Sequence, residues 1–201
     1  LATFLTADWH LGETRFDIMQ RPCVDSAEHT QMLLQNHNAM VKSEDEVIFV
    51  GDACFAPESV PDIEKFNGRK TLIRGNHDRK IPDDVFSKYF ERIIPEGEGI
   101  EMEYDGIPLW ITHYPSRARK DRFNLVGHVH AVWKVQLNCL NVGVDVHSLR
   151  PMALEKVRFF YNAIQKFYDE DVWAAYNEQN SIFRGLRGRA GSYLDALPVP
   201  K

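Results

Sequence analysis

The sequence predicts an α/β sandwich with a pair of mixed sheets. Three observations point there: apolar runs alternate with helical patterns through the first half of the chain, strands then pair with one another, and helical periodicity returns at the end. A chain of 201 residues with 44% hydrophobic content can bury one sizeable core. We therefore expect a core over residues 1–150 and a helical extension over residues 151–201 packed on the same domain.

The elements follow in order. Ala2–Ala7 is an apolar run that reads as a buried strand. Residues 26–42 bring Leu33, Leu34, His37, Met40 and Val41 to helical spacing, with Ser26 as the N-cap. Glu46–Val50 is a second strand, Pro57–Asn67 reads as helical, Thr71–Arg74 is a third strand, and residues 83–91 read as a helix. Ile100–Tyr104 and Ile107–Thr112 flank Asp105-Gly106, a two-residue hairpin signal. Asn124–Val126 is a short strand, and Val132–Leu137 with Leu140–Val144 suggest a closing antiparallel pair. From Ala153 onward Val157, Phe160, Tyr161, Ile164, Phe167 and Tyr168 recur at helical spacing; Trp173–Phe183 continues as a helix before the segment Arg184–Gly191 and a Pro-ended tail. That aromatic stripe reads as core or dimer contact, and Arg184, Arg187 and Arg189 as a solvated tail in preference to a nucleic-acid contact.

Composition narrows the class. A net charge of −5 gives no global basic footprint for long nucleic acid. No apolar stretch approaches a membrane span, and residues 1–20 lack a charged-then-apolar signal pattern. Cys23, Cys54 and Cys139 are odd in number and far apart, which argues for a reducing compartment, the cytoplasm, and against a disulfide framework or a thiolate zinc site.

Five short pieces lie at the ends of apolar runs: Asp8-Trp9-His10, Gly51-Asp52, Gly75-Asn76-His77-Asp78, His113, and Gly127-His128-Val129-His130. Aspartate oxygen and imidazole nitrogen are suitable ligands for divalent transition metals. On a strand end, Asp8-x-His10 aims two side chains to the same side, and His128-x-His130 repeats the device. Each piece alone has a plainer reading: a lone Asp-x-His arises by chance, and Asn-His-Asp after a strand is ordinary turn chemistry. Their conjunction, each at a strand end, favours a metal site.

The order and spacing of these pieces resemble the calcineurin-like metallophosphoesterase superfamily, over roughly residues 2–148. The resemblance implies a four-layer α/β/β/α sandwich with two mixed sheets and C-terminal helices. It implies one ion held by Asp8, His10, Asp52 and His130, and a second by Asp52, Asn76, His113 and His128. Asp52 would bridge, since a carboxylate has lone pairs enough and an imidazole does not. Two such ions, about 3.5–4 Å apart, clamp a phosphate and generate a bridging hydroxide. Mixed nitrogen and oxygen ligation suits Mn first, with Fe, Zn or Ni as alternatives. By the same resemblance His77 protonates the leaving oxygen or stabilises the transition state. Asp78 either orients His77 or caps the next helix, two readings of equal weight.

Departures refine the resemblance. Many members carry Asp-Arg-Gly shortly after Gly-Asp, where this chain has Ala53-Cys54-Phe55, and protein phosphatases of the superfamily carry Glu at the position of Asp78. Both differences argue against a phosphoprotein phosphatase. Phe66–Gly75, His113-Tyr114-Pro115 and Asn141–His147 look like a small group of bacterial and phage phosphoesterases of undefined substrate. Small phosphodiesters, cyclic nucleotides among them, are the first choice and phosphomonoesters the next. A nuclease acting on DNA or RNA ends is disfavoured by the acidic balance, and a non-catalytic scaffold by the intact motif residues.

Arg15, Arg21, Arg74 and Arg117 lie near the motif pieces and suit phosphate oxygens, although exposed arginine is common for other reasons. Arg117 is the first to test, with Arg15 next. Trp9 and Tyr114 sit beside ligands, as stacking platforms or as walls. His147 reads as structural or supporting, and Cys54 as lining the site without ligating. The expected partner is a small phosphoester, a nucleotide being one form, bound by a monomer or homodimer.

Overall fold

Two five-stranded mixed sheets carry the fold in a computed structural model that describes residues 1–19 and 21–168. In the first sheet, β1 (Thr3–Thr6), β2 (Glu46–Val50), β3 (Arg69–Ile73) and β4 (Arg92–Ile94) run parallel, and β10 (Met152–Ala153) closes the other edge antiparallel to β1. The second sheet is ordered β5 (Gly99–Tyr104), β6 (Ile107–Thr112), β7 (Phe123–Val126), β9 (Cys139–Asn141) and β8 (Val135–Gln136). Its inner pairs β6–β7 and β7–β9 are parallel and its outer pairs antiparallel. This is the α/β sandwich with two mixed sheets that the sequence predicts.

Alternation along the first sheet explains why it sits in the middle. Phe4, Val47, Phe49 and Leu72 point into one apolar cluster, while Leu5, Val50 and Ile73 enter another. With period two, each strand is therefore buried on both faces. The first cluster is covered by α2 (Ser26–Asn38), a 3-10 segment Pro57–Lys65 and α3 (Asp83–Phe86), through Leu33, Val60, Ile63 and Phe86. A four-residue helix, α1 (Phe16–Met19), precedes them in the chain. The second cluster joins the two sheets through Ile107, Leu109, Ile111, Leu125 and Leu140, and α4 (Val157–Phe167) adds Val157 and Ile164. Each such side chain, fully buried, contributes roughly 1.5–3 kcal/mol.

Several boundaries differ from the sequence reading for identifiable reasons. Asp25, not Ser26, caps α2, accepting from Glu28 N at 2.8 Å while Glu28 Oε2 accepts from Val24 N at 2.7 Å. The helix expected over 57–67 is a 3-10 segment that ends at Lys65, with Pro61 inside it lacking the N–H an α ladder needs. The helix expected over 83–91 stops at Phe86, because the chain must turn to enter β4 at Arg92. Trp173–Phe183 and Arg184–Gly191 lie outside the described residues. Cys23, Cys54 and Cys139 are free. Among the described residues no helix is long and apolar enough to cross a membrane.

Candidate metal centre

Parallel strands bring their C-terminal ends to one edge, and five such ends meet here. Asp8, Asp52 and Asn76 follow β1, β2 and β3, whereas His113 and His128 follow β6 and β7. Backbone hydrogen bonds join the loops beyond the strands: Asp8 N to Gly51 O at 3.0 Å, His10 N to Asp52 O at 3.0 Å, and Gly127 N to His113 O at 3.1 Å. An isolated bridge between Ala7 and Gly143 ties the two sheets together beside them.

The side chains converge through left-handed backbone rather than through strand alternation. The φ angles are 59° at Asp8, 52° at His10, 56° at Asp52, 73° at His128 and 47° at His130. Asp and His tolerate this region better than most residues, yet each instance still costs on the order of 1 kcal/mol. β1 ends at Thr6, so Asp8 and His10 have already left the pleat that the spacing argument assumed. Two glycines make room. A Cβ on Gly51, whose φ is +90°, would sit 2.1 Å from His113 Nδ1, and one on Gly75 would sit 2.1 Å from Asp52 Oδ1.

Three groups of ligand-type atoms result, each with all members within 4.8 Å of one another: Asp8, His10 and His130; His10, Asp52 and His77; Asp52, His113 and His128. Asp52 Oδ2 lies 3.4 Å from His10 Nε2 and 3.5 Å from His113 Nε2, while Oδ1 accepts from His77 N at 2.9 Å. Asn76 Oδ1 is 3.3 Å from His113 Nε2. Hydrogen bonds at the far nitrogens set the tautomers. His113 Nδ1 donates to Val50 O at 2.8 Å and His130 Nδ1 donates to Asp145 Oδ2 at 2.8 Å, so both present Nε2 to the centre. His10 has neither ring nitrogen in a hydrogen bond although both are buried. Leaving such groups unmade costs free energy that a cation would recover, so the donor set fits a metal ion.

Electrostatics divides these groups. Burial lowers the His10 pKa to about 4 against the pull of Asp52, so its imidazole is neutral near pH 7. His113 goes the other way: burial alone would lower it, but contact with Asp52 and the charges of Asp8 and Asp52 lift it to about 9. Asp8 is pushed up to about 6 by burial, against the opposing charges of His113 and His130. Asp52 is also buried, but His10 and His113 hold its carboxyl well below the usual range.

The remaining expected residues fall as follows. His77 is half-buried, its ring 4.6 Å from that of His10 and 5.2 Å from that of Phe55. Asp78 is a correction on both readings. Its Oδ2 accepts from Asp52 N and Gly75 N at 2.8 Å each and Oδ1 from Ala53 N at 3.0 Å, so it neither orients the His77 ring nor caps α3, whose N-cap is Pro82. Tyr114 packs edge-on to His113 and His128 and donates its hydroxyl to Glu96. Arg15 is held by both oxygens of Glu13 and lies over Phe55, whose ring stacks on His10. Arg117 is exposed on a 3-10 turn, Pro115–Arg117. Arg21 and Arg74 are structural instead of surface residues: Arg21 is buried against Asp145, and Arg74 binds Asp83 and the carbonyls of Asp78 and Ile81. Trp9 is a core residue, 1% exposed and packed on Phe49 and Phe66, so it offers no stacking face. His147 donates Nε2–H to Asn141 O at 2.9 Å, a structural role. Buried Cys54 pairs its backbone with Leu11. Sequence reasoning missed Asp145 and Glu13, acids that act through His130 and Arg15.

No protein-family model matches the chain. The uncharacterized protein MJ1445 of Methanocaldococcus jannaschii is 26% identical over 169 residues, covering 77% of this chain and 88% of its own. Among solved structures, the protein of unknown function AQ665 from Aquifex aeolicus superposes with a TM-score of 0.62 at 20% identity, over 79% of this chain and 98% of its own. That likeness shows a shared fold. A novel archaeal phosphodiesterase superposes with a TM-score of 0.42 at 18% identity, over 71% of this chain and 84% of its own.

Proposed function

We propose that this chain is a dinuclear metal-dependent phosphoesterase that hydrolyses small phosphodiesters, cyclic nucleotides among them. One observation carries the reading. Asp52 Oδ2 lies almost equally far from His10 Nε2 and His113 Nε2, which belong to separate ligand groups, and a carboxylate is the side chain able to serve both. Asp8, His10 and His130 would complete one ion, and Asn76, His113 and His128 the other, with Mn first and Fe, Zn or Ni as alternatives. Divalent ions held by these residues would supply Lewis-acid polarisation of a phosphoryl oxygen and activation of water.

The protein's own groups do the rest. His10 enters ligation neutral, and His113 and His130 are oriented by Val50 O and Asp145. His77 is the member free to carry a proton to the leaving oxygen. Burial lowers its pKa while the charge of Asp52 raises it, and an arriving phosphate anion adds to the second effect. Arg15, Arg117 and Tyr114 are assigned to the substrate.

The test uses protein reloaded with Mn²⁺ on aryl phosphodiesters, aryl phosphomonoesters, 2′,3′- and 3′,5′-cyclic nucleotides and short oligonucleotides. We expect metal-dependent turnover, highest on the small diesters. His77→Gln should keep its metals and lose roughly 10²–10⁴ in kcat, whereas Asp52→Asn should lose metal and activity together. Turnover on none of these substrates would sink the assignment as a hydrolase, and full metal content in Asp52→Asn would sink the bridge.

A further inference from the structure

A second site of different character lies outside the metal centre. A pocket of about 250 Å³ is lined by Lys134, Ser148, Arg150 and Lys156, with Met40 and Met152 as apolar wall. Several arginines elsewhere on the surface are paired: Arg69 with Glu91, Arg79 with Glu96, Arg119 with Glu101, and Arg158 with Asp105. Lys134, Arg150 and Lys156 have no carboxylate partner among the described residues. The neighbouring acids do not serve them. Asp145 is committed to Arg21 and His130, and Glu155 is not part of the lining.

Three cations thus line one concavity of a protein whose net charge is −5, with Arg150 and Lys156 exposed to an incoming anion. Like charge adds to burial among the lining groups. Burial and Lys156 lower the pKa of Lys134, and burial, then Lys134 and Lys156, depress His147 to about 4. His147 is therefore neutral near pH 7, with its Nε2–H given to Asn141 O, so it shapes the wall without adding charge. Lys134 donates one Nζ hydrogen to Val146 O at 2.9 Å and lies over the Phe160 ring, contacts that fix its head and leave donor capacity for a ligand. The Arg150 guanidinium is a planar fork suited to two oxygens of one anion, and the Ser148 hydroxyl adds a donor.

We infer that this pocket binds a phosphate-sized oxyanion, free or carried by a small organic molecule. The inference does not depend on the hydrolase reading. It is tested on full-length protein in EDTA, so that phosphate cannot be held by metals at the other centre, by calorimetric titration with inorganic phosphate and with AMP. We expect one saturable site. Removing two of the three cations in Arg150→Gln/Lys156→Gln should weaken it about tenfold or more, while Arg92→Gln, an exposed cation on the first sheet's β4 edge, should leave it unchanged. Tighter binding of AMP than of phosphate would mark the organic carrier as the ligand, and equal binding the free oxyanion; either result supports the site. Absence of saturable binding, or equal affinity in the double variant and the wild type, would overturn it.

Discussion

His130 faces the centre with Nε2 because a buried carboxylate holds its other nitrogen. Asp145 Oδ2 accepts from His130 Nδ1 at 2.8 Å, and Arg21 grips the same carboxylate with Nε at 2.7 Å and Nη2 at 2.9 Å. Arg21 donates in turn to Trp9 O at 2.8 Å and to Asp8 O, so the ion pair also braces the Asp8-Trp9-His10 turn. Its remaining contact is His29 Nε2 at 2.7 Å, which must accept; burial and the Arg21 charge keep His29 neutral, with a pKa of about 3. Asp145→Asn removes the only formal negative charge Arg21 pairs with among the described residues. Stranding a buried guanidinium costs roughly 3–5 kcal/mol, and losing the carboxylate behind a ligating imidazole lowers metal affinity roughly 10–100-fold. Urea unfolding in EDTA measures the first and metal titration the second. A stability change below about 1 kcal/mol would mean the pair behaves like an exposed salt bridge.

Between elements, Asp78 does what no hydrophobic contact can. It joins the loop after β2 to the loop after β3 by accepting backbone N–H groups from Asp52, Ala53 and Gly75. Burial and the nearby Asp52 charge raise its pKa to about 7, while the backbone N–H groups of Gly75, Asp52 and Cys54 pull the other way and favour the carboxylate. In Asp78→Asn one oxygen becomes an NH₂ and faces an N–H donor. We expect a loss of roughly 2–4 kcal/mol in metal-free thermal or urea unfolding, together with a disordered Asp52 loop; unchanged stability would contradict the clamp. Sequence periodicity could not reveal this role, because Asp78 and Asp52 are 26 residues apart and their bond runs to backbone. The same limit hid the Arg21–Asp145 pair, 124 residues apart. It hid β4 and β10 too, whose three and two residues are too short to alternate. The hairpin of β5 and β6 was legible because its signal is local: Asp105 and Gly106 have φ of 57° and 76°, the left-handed pair a tight hairpin turn demands. The five motif pieces were legible for a related reason, each being fixed to the end of a strand that was itself readable. What the spacing missed was the means, left-handed turns instead of a shared strand face.

At the scale of the whole molecule, the proposed ligand assignment couples metal binding to folding through His113. In the metal-free protein its pKa is about 9, above the ordinary 6.5, because Asp52 and Asp8 outweigh its burial. The protonated pairing therefore stabilises the fold fully below pH 6.5 and is lost as pH rises through about 9, a contribution of up to about 3 kcal/mol. His130, raised by Asp145 and Asp8 against its burial, shifts in the same direction. Ligation by His113 and His130 would require these protons to leave, so on that assignment raising the pH weakens the empty fold and strengthens metal binding at once. The difference in Tm between Mn²⁺-loaded and EDTA-treated protein should accordingly be larger at about pH 8.5 than at about pH 6.5, as read by calorimetric melting. Metal binding near pH 7.5 should also release protons, detectable as heats that vary with the ionisation enthalpy of the buffer. A Tm difference independent of pH, with no buffer dependence of the heat, would show that His113 is not displaced from its carboxylates by metal and so is not a ligand.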